Sequence, residues 1–179
     1  MRTIEFTWRF KLTIALFTLV IFFTSCVKED EVTPDYVGTW ISDVPIPTAT
    51  GYTKGLRDIM TFSENRVVDL IQLPDGTLNQ WIDYMNMKGS LSVSGNIMTV
   101  TISEIGISTM NAVTGKPTGT IISYKDGSAE FETILSQSDQ SKVFVSEYSV
   151  SGNQMTIKTD NNNDGDYSDA LETTVYTRQ

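Results

Sequence analysis

Histidine is absent from this 179-residue chain, and cysteine occurs once. Without an imidazole the chain builds no Ser-His-Asp triad, no Cys-His pair, no histidine-ligated catalytic metal and no histidine pH switch. A single cysteine forms no internal disulfide. Cations are scarce as well: 13 Lys and Arg stand against 22 Asp and Glu, a formal net charge of −9. A chain without a basic face does not neutralise nucleic-acid phosphates, so nucleic acid is excluded as a partner. No segment shows a helical period. What is present is enough for one ordered domain: 40% of residues are apolar, and the aromatics are 8 Phe, 7 Tyr and 3 Trp, too many for a disordered chain.

Residues 1–25 stand apart from the rest. Arg2, Arg9 and Lys11 precede a mainly apolar run from Leu12 to Phe23, followed by the small residues Thr24 and Ser25 and then Cys26. As a helix, the run would rise about 18 Å at ~1.5 Å per residue, well short of a ~30 Å hydrocarbon core. The layout is that of a secretory signal peptide, with basic, apolar and small-residue regions in order. Residues 1–25 carry three basic residues and Glu5, so their removal takes away a net +2 and leaves the remainder at −11. Such a body is expected to be soluble and monomeric and to be repelled by anionic surfaces.

Phe23-Thr24-Ser25-Cys26 resembles a bacterial lipobox, with Phe where Leu is usual. The resemblance implies that Cys26 becomes the acylated first residue, carrying chains such as palmitate. At about 0.8 kcal/mol per buried methylene, two or more chains anchor a protein stably to a membrane. The following Lys28, Glu29 and Asp30 resemble the lipoprotein export signal of Bacteroidota, a lysine and acidic residues just after the lipidated cysteine. That likeness implies an outer-membrane, cell-surface address; a plain solvated tether over residues 26–35 is the alternative.

From Tyr36 onward the chain reads as short strands separated by turns. Period-two alternation is cleanest at 97–102, 129–133 and 155–158, one face apolar and one polar. Turn signals at Ser63-Glu64-Asn65, Pro74-Asp75-Gly76, Ser94-Gly95-Asn96, Lys125-Asp126-Gly127-Ser128 and Ser151-Gly152-Asn153 are too short for crossovers, so neighbours are expected to pair antiparallel. Candidate strands fall near 37–42, 56–63, 66–73, 77–85, 88–94, 96–103, 118–124, 129–136, 142–150, 154–159 and 171–178. Two of the hairpins repeat one pattern, an apolar residue, Ser-Gly-Asn and a Met-Thr strand start. A long meander satisfies its edges best by closing, so an all-β antiparallel up-and-down barrel of 8 to 10 strands is expected. A sandwich would need crossovers, which only the connections at 43–55, 104–117 and 160–170 are long enough to make.

The Gly38-Thr39-Trp40 start resembles the Gly-x-Trp that opens the first strand of lipocalins, and with the lipobox, the late Ser-Gly-Asn hairpin and the closing Val175-Tyr176-Thr177-Arg178 strand it is similar to the lipocalin-like domains of Bacteroidota lipoproteins. The likeness covers residues 36–179. The bridging cysteines and final helix of animal lipocalins are missing. The resemblance implies that Trp40 plugs the closed end of the barrel with Arg178 packed across it, and that residues 43–55 occupy the position of the lid loop, where Ile46 and Tyr52 either cap a mouth or pack on its rim.

Asp160, Asn162, Asp164, Gly165 and Asp166 follow the one-three-five-six-seven spacing of a calcium loop. The twelfth position is Leu171, with Glu172 one residue late, so either a weak structural calcium or a solvated Asx-rich turn fits. No cofactor is implied otherwise. Glu130 and Glu132 would share one strand face as ordinary surface carboxylates, and nothing marks a catalytic acid pair, so no enzymatic activity is expected. Trp81, Tyr84, Met85 and Met87 either line a cavity or belong to the core. Two functions follow: a barrel binding a small, largely apolar ligand, or an accessory module with a filled barrel that meets its partners through loops.

The anchor is directly testable. The Cys26→Ala variant is expected to leave washed membranes for the soluble fraction, and its retention there would refute acylation at this residue.

Overall fold

The structure, a computed structural model, describes residues 33–48, 51–76, 80–137, 141–160, 166–167 and 172–179, with the backbone alone for 45–48 and 51–54. The chain divides into two units, Met1–Thr33 and Pro34–Gln179. Cys26, Lys28, Glu29 and Asp30 lie outside the described residues. The second unit contains β1 (Gly38–Thr48), β2 (Gly51–Ser63), β3 (Arg66–Asp75), β4 (Gln80–Ser94), β5 (Ile97–Met110), β6 (Pro117–Lys125), α1 (Ala129–Gln137), β7 (Val143–Ser151), β8 (Gln154–Lys158) and β9 (Thr173–Arg178).

Eight of the nine strands close into an antiparallel up-and-down barrel. β1 to β5 form a meander, β5 pairs with β7, and β7, β8 and β9 continue in order until β9 returns to β1. The ninth strand, β6, shares an edge of β5 with β7. Residues 97–101 of β5 pair with β7, and residues 104–110 pair with β6. Between them the chain loops out as α1, and the ends of this excursion are tied by the Lys142 Nζ to Asp126 Oδ2 contact of 2.6 Å. Tight turns set the register: Ser94 faces Ile97 and Ser151 faces Gln154. Both turns use a glycine at positive φ, Gly95 at 61° and Gly152 at 58°, which a twisted two-residue hairpin requires.

Three expectations are corrected. Residues 129–136 form a helix instead of a strand. Ser128 caps it, its Oγ accepting from the Phe131 N–H at 3.2 Å, and Glu130 and Glu132 in the first turn favour the positive end of the helix dipole. Phe131 and Leu135, four residues apart, are buried; an alternation five residues long does not separate that spacing from a strand. Glu130 and Glu132 therefore share no strand face, and at two residues apart they do not face one side of the helix. The expected strands 77–85 and 88–94 are one strand, β4, with an irregularity at Lys88/Gly89.

The supposed lid loop at 43–55 is mostly hairpin. Val44 pairs with Leu56 and Thr48 with Gly51, with a bulge between Val44 and Ile46. β9 accompanies β1 only at Trp40 and Ile41, so the outer edge of β1 beyond that point is unpaired by β9. Proline, which has no N–H to give a neighbour, is tolerated at such an edge and at a bulge.

At one end of the barrel a core cluster gathers Tyr36, Trp40, Phe62, Leu91, Met155 and Tyr176. Trp40 is fully buried and its Nε1 donates to the Tyr36 carbonyl at 2.8 Å. Arg178, its register partner on β9, lies over the indole at 4.3 Å and donates to the carbonyls of Val37 and Asp35. Gly38 has φ +139°, a conformation that side chains rarely adopt, while a Cβ there would make only ordinary contact with Arg178 Nη1 at 3.4 Å, so it is the backbone that calls for glycine. A second cluster packs Phe131 and Leu135 of α1 on Ile102 and Ile105 of β5.

Replacing Arg178 by Gln removes the charge over the ring and the fork of donors. Denaturant unfolding is expected to show a loss of about 1 to 3 kcal/mol, the combined scale of a cation-π contact and charge-assisted hydrogen bonds; unchanged stability would make the pair incidental.

Candidate functional site

Alternation places one residue in two inside the barrel, and the inward side chains leave a cavity of about 200 Å³. Among the described residues its wall draws on β2, β3, β4, β5, β7, β8 and β9. Met60 and Phe62 of β2, Met98 and Val100 of β5, Phe144 of β7 and Ile157 of β8 form most of the apolar surface. Met87, Ile102 and Phe144 belong both to this wall and to the cluster under α1. The packing of the helix thus reaches the cavity wall.

The polar part of the wall is acidic. Asp69 of β3 and Glu172, just before β9, line the cavity and are 8% and 2% exposed. Asp58 of β2 is the diagonal neighbour of Asp69, since Met60 pairs with Asp69 and Asp58 with Ile71. The Asp58 charge acts on the Asp69 carboxyl, and the Tyr176 hydroxyl donates to Asp58 Oδ2 at 2.6 Å.

Burial, and then the charge of Asp58, push the Asp69 carboxyl well above the usual carboxylate range, which favours its protonated form. Burial likewise pushes the Tyr176 phenol up, with Asp58 adding to it, which keeps that hydroxyl a donor. Asp58 Oδ1 and Asp69 Oδ1 are left buried without a hydrogen-bond partner. Lys88 also borders the cavity, but its ammonium contacts Glu104 Oε1 at 2.5 Å.

The expected site residues are distributed unevenly. Trp40 and Arg178 are brought together at the barrel end. Asn162 and Asp164 lie outside the described residues, while Asp160 and Asp166 are described, each with interactions of its own. Among the described residues no group of three or more Cys, His, Asp or Glu is arranged to hold a metal. Of the four bulky residues on β4, Met87 lines the cavity and Trp81 carries Arg57 at 4.3 Å over its ring. Arg57 is itself paired with Asp43 at 2.7 Å. Sequence reasoning passed over Asp58 and Asp69. The available signal was an acid set within the apolar run Val67-Val68-Asp69-Leu70-Ile71, at a position in phase with the inward Val67.

No family model matches the chain, and no curated protein matches it. Among solved structures it is similar to a crystal structure of an uncharacterized protein from Bacteroides eggerthii DSM 20697, with a TM-score of 0.41 and 9% identity, covering 81% of this chain and 100% of that one. A likeness at that TM-score carries no weight for fold or function.

The acid pair makes stability depend on pH. Because its folded pKa is raised, Asp69 holds its proton more tightly in the folded state. Its favourable contribution is complete below the unfolded carboxylate value near 4 and is lost as pH rises through the folded value. Asp58, Glu172, Tyr176 and Lys88 surround it in both variant and parent. Asp69→Asn is therefore expected to flatten the fall in stability between pH 4 and 8 and to be more stable at pH 8 by about 1 to 3 kcal/mol, the scale of a buried polar group without a partner. Parallel pH profiles for the two proteins would contradict the assignment.

Proposed function

We propose that this protein is an outer-membrane, surface-exposed lipoprotein, held by acyl chains on Cys26, whose barrel takes up a small, largely apolar ligand and catalyses no reaction. The cavity carries the reading: a closed eight-stranded barrel with a space of about 200 Å³ inside it is a container, whereas an accessory module has no use for an unfilled interior. The volume sets the scale of the ligand. An engineered apolar cavity of about 150 Å³ holds benzene, and drug-sized ligands need roughly 300 Å³ or more, so the occupant is a single ring or a short chain. The lipobox-like and export-like residues, Cys26 and Lys28, Glu29 and Asp30, support the location.

Toluene titrated into the full-length chain tests the container. It is expected to bind saturably and raise the unfolding temperature, as any ligand of the native state does, and Val100→Phe, which fills the cavity, is expected to abolish the shift. Absence of binding by the unaltered protein would favour the accessory-module reading instead.

A further inference from the structure

We propose that the ligand of this cavity is a small organic ammonium ion, an apolar ring or chain bearing a primary amine, whose N–H groups are received by Asp69, with Asp58 behind it. The inference rests on the ligand-binding reading and names the chemical class of the ligand.

Three observations point to it. Asp69 lines the cavity, is 8% exposed, and has an oxygen, Oδ1, with no hydrogen-bond partner. Its neighbour Asp58 supplies a second buried acceptor without a donor, also Oδ1, although Asp58 already accepts from Tyr176 through Oδ2. Glu172, 2% exposed, adds a further acid to the same wall. The two unmatched atoms, Asp69 Oδ1 and Asp58 Oδ1, are acceptors, and leaving a buried acceptor unpaired is unfavourable. A hydrocarbon would leave them so. A primary ammonium has three donors and no acceptor, carries the opposite charge, and leaves the rest of the ligand to the Met, Phe and Val side chains around it. Lys88 cannot fulfil this role as it stands, because its ammonium is at Glu104.

Binding exchanges one positive charge for another. The ammonium enters, a proton held by Asp69 leaves to solvent, and no covalent bond between protein and ligand is made or broken. The exchange relieves the like-charge conflict in the pair without placing two bare carboxylates side by side.

Benzylamine and toluene differ by the amine alone, and calorimetric titration of the full-length chain with each separates the two levels of the claim. Benzylamine is expected to bind at least tenfold tighter than toluene, and Asp69→Asn is expected to erase that preference while leaving toluene binding intact. Tenfold corresponds to about 1.4 kcal/mol. Because the variant removes a buried acid and keeps its shape, it is expected to fold, and retained toluene binding verifies that it has. Equal binding of the two probes, or a preference that survives in the variant, overturns the ammonium assignment and leaves the container intact. If neither probe binds, the container itself fails.

Discussion

Closure of the sheet between β1 and β9 is the constraint on which the rest depends. Among the described residues two register pairs join these strands, Trp40 with Arg178 and Ile41 with Thr177, and the Gln179 N–H donates to the Thr39 carbonyl beside them, so the side chains at the seam carry much of the closure. Trp40 fills the barrel end and donates to Tyr36; Arg178 lies across the indole and reaches back to the chain entering β1. Gly38 takes up a φ that side chains disfavour, beside the guanidinium. Tyr36 completes the plug with edge-on contacts to Phe62 and Tyr148 at 6.4 and 5.8 Å between ring centroids. With this end filled and the edge strands joined, the remaining inward side chains define an interior.

That interior is not uniform. Part of it is packed; elsewhere it opens into the cavity, where Asp69 lines the wall with Asp58 beside it on the neighbouring strand. A carboxyl pair in an apolar barrel is unfavourable for folding, and the hydrogen bond from Tyr176 relieves only Asp58 Oδ2. Such a conflict persists where the surrounding structure overdetermines it, and buried polar groups left unmatched cluster at sites of function. The pair is held by β-sheet register, with Asp58 and Asp69 offset by two residues on paired strands, so its geometry is as rigid as the barrel itself.

The β6 and α1 excursion links the cavity to the outside. β6 extends the edge of β5 beyond β7, and the helix folds its Phe131 and Leu135 over the same β5 residues that border the cavity. A change in the packing of α1 is therefore felt first at Met87, Ile102 and Phe144. The hairpin of β1 and β2, by contrast, is joined along its length from Gly38↔Phe62 to Thr48↔Gly51, and is a continuation of the wall.

Period-two alternation and the Gly-Asn turns determined by themselves that this chain is all-β, that its neighbours pair antiparallel and that the sheet has reason to close, because these signals are local and their geometry is short-range. The missing histidine likewise excluded whole classes of chemistry before any fold was known. Helix α1 was hidden because Phe131 and Leu135 satisfy a helix only once β5 offers a surface to receive them, while Ala129 to Thr133 alternate well enough for a strand. The 43–55 segment looked like a loop because its prolines exclude a central strand and not an edge one, and only the tertiary structure decides which strand is at an edge. Asp58 and Asp69 are eleven residues apart in the sequence, and Tyr176 is farther still. Their meeting depends on register and on closure of the barrel, and burial, which sets these three ordinary side chains against one another, exists only after the chain has folded.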